Sequence, residues 1–218
     1  MDIKDFEEKT LSSQLLFDGK VVHLYKDDIE LPDGRVAFRE YVRHIGAVCV
    51  VPITVEREVI CVKQYRYPLA DVVLEIPAGK LDSKDEDPEF AVRRELREET
   101  GAVCGKLTYL GKYYSSPAIL DERIHMYLAE ELTFGERELD EDEFIEVVRI
   151  PIDELAEMIC KGEIIDGKTQ SGVMKALYIL DKREKEIKNE AYLQEDIFCW
   201  MRVLFDIALL AGLRRDNT

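Results

Sequence analysis

Apolar and polar positions alternate in short runs through the first two thirds of the chain, and longer helical stripes follow. Residues 20 to 51 read KVVHLYKDDIELPDGRVAFREYV and, a little further on, GAVCVVPI. LPDGR separates two of these runs, and its proline and glycine predict a hairpin turn there. VICVKQYRY (59–67), rich in Val, Ile and Tyr, predicts another strand. Tyr65 and Tyr67 flank Arg66 on the opposite face of that strand, which points them to the core. VVLEIPAGKL follows as a strand ending at Pro77 and Gly79. The polar loop DSKDEDP then leads into a helix from about residue 88 to residue 100. Pro88 suits its first turn, and Gly101 suits the position just past its end, where the chain turns left-handed.

Beyond the helix, KLTYLGKYYSS and RIHMYLAEEL read as strands separated by the loop SPAILDE. GERELDEDEFIE is an acidic loop before the strand VVRIPI. IDELAEMICKG is a short helix ending in glycine, and KTQSGVMKALYILDKREKEIKNE begins another. Strands with interspersed helices predict a layered α/β domain, although the order is not a strict alternation. In the tail, Ile197, Trp200, Met201, Leu204, Ile207, Ala208 and Ala211 form a helical stripe, while Arg202 and Asp206 interrupt its apolar run. That pattern fits a helix lying against protein and argues against a bilayer span.

Composition narrows the partners. The 218 residues include 46% hydrophobic side chains, enough for one elaborated domain with a core, and the net charge is −16. Such a surface repels nucleic-acid backbones and anionic membranes, so neither is expected as a partner. A small anionic substrate remains compatible if metal ions or local arginines reverse the field at its site. Five scattered cysteines without a CxxC pair, and three scattered histidines, exclude zinc-site spacing and fit a reducing cytoplasm. The charged start MDIKDFEEKT has no apolar signal core.

One stretch of the predicted helix, RRELREETG, needs a chemical explanation. Glu95, Glu98 and Glu99 are spaced i, i+3 and i+4, so they are neighbours on one face and repel by about 0.2–0.5 kcal/mol per pair. Charged helix faces are usually only solvated. Here, however, Arg94 lies four residues before Glu98, Leu96 stands on the opposite side as a core anchor, and the turn IPAGKLD lies just upstream. A hard divalent cation among the carboxylates would remove the repulsion, because Mg²⁺ takes oxygen ligands in octahedral geometry.

The stretch GKLDSKDEDPEFAVRRELREETGA resembles the Nudix box. Gly79 is its first glycine and Glu86 its first glutamate, and Arg94, Glu95, Leu96, Glu98, Glu99, Gly101 and Ala102 complete it. Seven residues separate Glu86 from Arg94, as in the family; six rather than five separate Gly79 from Glu86, an extra residue assigned to the loop at 83–85. CVKQYRYP and LEIPAGKLD before the box, and Pro117 fifteen residues after Ala102, are similar to the ADP-ribose pyrophosphatase branch. Ala118, Ile119 and Leu120 depart from that branch's usual residues after the proline. The resemblance covers about residues 20 to 182.

The resemblance implies a Nudix-type α/β/α sandwich with a mixed sheet and a small N-terminal β-sheet, to which the apolar stripe of the tail adds a C-terminal helical extension. The chain then divides into N-terminal strands (1–45) that, by the resemblance, build a homodimer, a hydrolase domain (46–182) and, beyond the resemblance, an amphipathic tail (183–218). The resemblance also implies hydrolysis of ADP-ribose, or a related nucleoside diphosphate sugar, to AMP and ribose 5-phosphate, with two or more Mg²⁺ or Mn²⁺ ions per site. A dinucleotide substrate is the alternative within that chemistry, and a non-catalytic nucleotide-binding regulator is the alternative outside it. Glu95 and Glu99 are the implied leading metal ligands, with Glu98, the Ala78 carbonyl and Glu86 contributing. Arg94 orients Glu98. The general base would come from the acidic loop, Glu143 first and Glu141 second, although Glu99 itself is an alternative and such loops are commonly just solvated. Arg66 suits a diphosphate or a ring, because a planar guanidinium serves both. Pro117 would shape the nucleoside pocket. Glu75 would hydrogen-bond substrate or brace its strand, and Glu122 would hold a ribose hydroxyl or pair on the surface. Ser115, Ser116 and His125 show no acid partner and are set aside as nucleophiles.

Overall fold

The computed structural model describes residues 2–139 and 144–189, and in it the early alternating runs form a sheet of their own. Strands β1 (Lys9–Asp18), β2 (His23–Glu30) and β3 (Val36–Arg43) pair antiparallel in that order. LPDGR is the expected turn between β2 and β3: Leu31 N–H donates to the Arg35 carbonyl at 2.8 Å, and Gly34 takes a φ of +82°. The sheet begins earlier than the alternation predicts. β1 is exposed along its whole length, so it has no buried face to impose a period on LSSQLLFD. Near the end of β3, Val42 N–H donates to the Ile119 carbonyl at 2.8 Å, joining this sheet to the loop that follows β8.

Two further sheets carry the core. β4 (Ala47–Pro52) is buried at every residue, as a nearly continuous apolar run between two covered faces should be. It pairs antiparallel with β7 (Ala78–Lys80) and parallel with β9 (Ile124–Phe134), which pairs with β8 (Ala102–Tyr113). The other sheet orders β10 (Ile145–Pro151), β5 (Glu58–Arg66) and β6 (Asp71–Glu75), all antiparallel.

VVLEIPAGKL is therefore two strands in two sheets, not one. Pro77 has no N–H for a ladder, and the chain crosses between sheets at Ile76 and Pro77, where Ile76 N–H donates to Thr169 Oγ1 and the Pro77 carbonyl accepts from Val50 N–H. The core positions expected for Tyr65 and Tyr67 are also corrected. They are 56% and 86% exposed: Tyr65 lies next to the end of β5, which stops at Arg66, and Tyr67 begins a short 3-10 turn.

Helix α1 (Pro88–Thr100) has the predicted bounds. Asp87 Oδ1 caps it by accepting from Glu89 N–H at 2.8 Å, Pro88 occupies its first turn, and Gly101 ends it with a φ of +71°. Ala91, Val92 and Leu96 face a core shared with Val48, Val50, Ile60 and Tyr127. Helix α2 (Ile152–Lys161) packs on β5 and β10 and ends at Gly162. Residues 167–176 are helical and bury Val173 and Ala176. These residues close one compact unit; of a second unit that starts at Leu177, residues 177–189 are described and are helical. The stripe from Ile197 to Ala211 lies outside the described residues. Among the described residues, no helix is long and apolar enough to cross a membrane.

Leu96 is the apolar pin of α1. Leu96→Ala is expected to cost about 2–5 kcal/mol of stability, read from a chemical-denaturation midpoint. A loss no larger than that of an exposed Leu→Ala control would show that α1 is held by something else.

Candidate functional site

An open cleft of about 810 Å³ is lined by the β7 turn, α1, the end of β5, the segment after β8 and the start of the helix at 167. Its acidic side is the charged turn of α1. A Cβ placed on Gly79 would lie 2.0 Å from the Glu95 carboxylate, so only glycine lets β7 approach α1 this closely. Glu99 is 3% exposed, and its Oε2 accepts from the Ala78 N–H at 3.2 Å. Arg94 Nη1 donates to Glu95 Oε1 at 2.8 Å and to Glu98 Oε2 at 3.0 Å, so it holds two of the carboxylates rather than Glu98 alone. Its Nη2 lies 3.6 Å from both Asp82 and Glu86, and Glu86 Oε2 in turn accepts from Asp82 N–H at 2.6 Å. Burial pulls the Arg94 guanidinium down, but Glu95 and Glu98 outweigh it and the net shift is upward.

Among the described residues, no group of three or more His, Cys, Asp or Glu side chains is arranged to hold a metal ion. The reason is visible: the arginine sits between Glu95 and Glu98, and a backbone N–H engages Glu99. The donor set nonetheless suits a hard divalent cation, being all oxygen with no thiolate or imidazole. Gly79 leaves the Glu95 carboxylate room against bare backbone.

A cationic cluster lines the same cleft. Glu75 is 2% exposed, and its carboxylate takes Arg66 in a bidentate pair, Nε to Oε1 at 2.6 Å and Nη2 to Oε2 at 2.7 Å. Lys168 Nζ donates to Glu75 Oε2 as well and to Asp166 Oδ1 at 3.0 Å. Asp166 caps the helix by accepting from Thr169 N–H at 2.9 Å, and the Thr169 hydroxyl ties the cap to Ile76. Glu75 thus stands behind Arg66 and Lys168 and holds both cations. Burial pushes the Glu75 carboxyl up, but the Arg66 hydrogen bond and the Lys168 charge reverse this and hold it below the ordinary range. Lys168 is raised: burial lowers it, and Asp166 and Glu75 more than compensate.

Glu122 also reaches the cleft. Its Oε2 accepts from the Ser115 hydroxyl at 3.0 Å, and its Oε1 lies 3.5 Å from His44 Nδ1. Pro117 does not join it; it lines a separate groove with Asp27 and Tyr41. Glu141 and Glu143 lie outside the described residues. The chain before them is tied to α1: Gly135 N–H donates to the Gly101 carbonyl at 2.7 Å, and Glu138 N–H to the Glu98 carbonyl at 3.3 Å. Sequence reasoning missed Lys168, Asp166, Thr169 and His44. Asp-x-x-Thr at a helix start carried a readable capping signal. Nothing local showed that Lys168 would fold back onto a carboxylate 93 residues away.

Residues 43–168 match the NUDIX domain family model, and residues 8–42 match the model described as a nucleoside diphosphate sugar hydrolase N-terminal domain. The chain is 47% identical over 169 residues to an ADP-ribose pyrophosphatase of Bacillus subtilis (strain 168), covering 77% of this chain and 91% of that one. It is 46% identical over 168 residues to a methanol dehydrogenase activator of Bacillus methanolicus, covering 76% and 90%. A crystal structure of an ADP compounds hydrolase shares the fold with a TM-score of 0.73 at 23% identity, over 81% of this chain and 96% of that one. The chain belongs to the Nudix family, whose members generally use divalent metal ions. Within the family it falls in the ADP-ribose pyrophosphatase-like branch.

Because folding depresses the Glu75 pKa, the stabilisation it gives is present above the unfolded carboxylate value and is lost as the pH falls through the folded one. Glu75→Gln is expected to lower stability by about 1–3 kcal/mol at neutral pH, less than a fully buried pair because Arg66 is 40% exposed. The gap from wild type should close as the pH falls below about 4. Denaturation midpoints at neutral and acid pH check this; a gap that does not change with pH would show that packing, not charge, is what Glu75 contributes.

Proposed function

We propose that the chain hydrolyses the diphosphate of ADP-ribose, or of a closely related nucleoside diphosphate sugar, to AMP and ribose 5-phosphate, with Mg²⁺ or Mn²⁺ as cofactor. One observation carries the reading: a self-repelling carboxylate turn, held by Arg94 and closed by Gly79, shares one cleft with the Arg66 and Lys168 cations. Acidic and cationic groups in one open cleft suit an anionic substrate that arrives with metal. Similarity to the Bacillus subtilis ADP-ribose pyrophosphatase supports the choice of nucleotide.

Glu95, Glu98, Glu99, the Ala78 carbonyl and Glu86 are the groups that would hold the ions. Bound there, divalent ions would activate water and spread the charge of the leaving phosphate. Arg94 orients Glu95 and Glu98, and Arg66, fixed by Glu75, presents its remaining donors to the diphosphate. Glu122, already accepting from Ser115, is placed to accept from a sugar hydroxyl. Glu143 is the first choice for general base and Glu141 the second, on a segment whose preceding residues are docked beside Glu98. A homodimer is part of the reading: Leu11, Leu15, Phe17, Val36 and Phe38 of the N-terminal sheet are exposed apolar side chains. So is a cytoplasmic location, supported by the buried, unpaired Cys49, Cys61 and Cys104; burial pushes the first two up to about 12.

Release of AMP from ADP-ribose should require divalent metal and stop with EDTA, and Glu99→Gln should lower kcat by at least about 10²-fold, the scale on which one catalytic group acts. Unchanged turnover in Glu99→Gln would remove the metal assignment, and turnover only of a dinucleotide in a parallel substrate panel would move the substrate. Light scattering should give twice the chain mass; a monomeric mass would remove the dimer.

A further inference from the structure

We propose that a second, basic groove joined to the cleft binds a phosphate monoester carried by the substrate beyond its diphosphate. This rests on the activity proposed above and names a substrate class for it: nucleoside diphosphate compounds bearing an additional phosphate. The groove has a volume of about 350 Å³, and Lys20, Arg43, Lys80 and Lys84 line it together with His23 and Tyr25. Among the described residues no carboxylate lines it, in a chain whose net charge is −16. Lys20, Lys80 and Lys84 are exposed, and their ammonium groups make no hydrogen bond or ion pair with any described residue. Arg43 is fixed differently: its guanidinium lies 4.1 Å from the centre of the Tyr25 ring, and its Nη2 donates to the Tyr41 hydroxyl at 2.8 Å. His23 is paired with Asp18 at 2.7 Å.

Like charges lining one groove without a carboxylate among them repel, and an anion of charge near −2 would offset that energy. Continuity gives the direction from which it comes. Val21, His44, Ile45 and Lys80 line both this groove and the main cleft, so a molecule whose diphosphate lies at the acidic turn can extend into the lysines without leaving protein surface. The volume exceeds one phosphate group, leaving space for part of the sugar that carries it. Lys84 lies in the loop 83–85, the place assigned to the one residue by which this chain exceeds the family's spacing.

Titration calorimetry on the full-length protein with AMP, adenosine 2′,5′-bisphosphate, adenosine 3′,5′-bisphosphate and inorganic phosphate tests this. At least one bisphosphate should bind about five- to tenfold tighter than AMP, the gain expected from two or more exposed ion pairs. The double variant Lys20→Gln/Lys84→Gln should lose that gain while keeping its AMP affinity, its ADP-ribose turnover and its Tm. The ratio of kcat/KM for 2′-phospho-ADP-ribose to that for ADP-ribose should fall in the same variant if the 2′ position is the one read. No gain for either bisphosphate, or a gain that survives the double variant, would overturn the proposal. Inorganic phosphate binding that depends on Lys20 and Lys84, with no gain for a bisphosphate, would assign the groove to a free anion and overturn it too. Failure to hydrolyse ADP-ribose with the bisphosphate pattern intact would remove the proposed activity and leave the groove supported.

Discussion

The structure turns on one close approach, the Glu95 carboxylate set against the bare backbone of Gly79. A single methyl on that glycine would collide with the carboxylate at 2.0 Å, so the distance between β7 and α1 is fixed by the absence of a side chain. Everything acidic in the cleft follows from that distance. It brings Ala78 N–H within 3.2 Å of Glu99 and puts Lys80's carbonyl within reach of Arg94. The repulsion among the three glutamates amounts to a few tenths of a kcal/mol per pair, whereas each hydrogen bond between charged partners contributes about 1.5–3 kcal/mol. Arg94 makes two such bonds to the cluster, so the arginine outweighs the repulsion and the turn stays helical.

What the sequence made legible is what local chemistry decides. Pro88 and Gly101 each specify a backbone conformation at an end of α1, and Leu96 specifies its buried side, so the helix could be placed from about residue 88 to residue 100. The hairpin at Gly34 was readable for the same reason. Where the outcome depended on what lay on the far side of a strand, reading failed. Tyr65 has strand chemistry but stays 56% exposed at the end of β5, and Tyr67 falls past the strand's end. β1 carries no period because neither of its faces is buried. The Ile76–Pro77 crossing was hidden because its partners, Val50 and Thr169, come from distant parts of the chain.

The same distinction separates the two halves of the site. The acidic half lies within one helical turn and was visible as spacing. The cationic half is assembled from β5, β6 and the start of the helix at 167, and its centre is a carboxylate that reasoning from sequence left between two roles. Glu75 is buried and would be costly there alone. Arg66 and Lys168 satisfy it from two directions, and each gains a fixed position in exchange.

That exchange ties the fold to the chemistry. Thr169 uses its hydroxyl to hold Ile76 and its N–H to hold Asp166, so the hydrogen bonds that start the helix also dock it on the strand bearing Glu75. Lys168, between the two capping residues, has its backbone set by the cap, and its ammonium follows onto Glu75 and Asp166. Loosening the cap would therefore release the lysine and leave the buried Glu75 carboxylate with Arg66 as its remaining cation. A helix start distant in sequence from the Nudix box is in this way coupled to the geometry in which a diphosphate would be met.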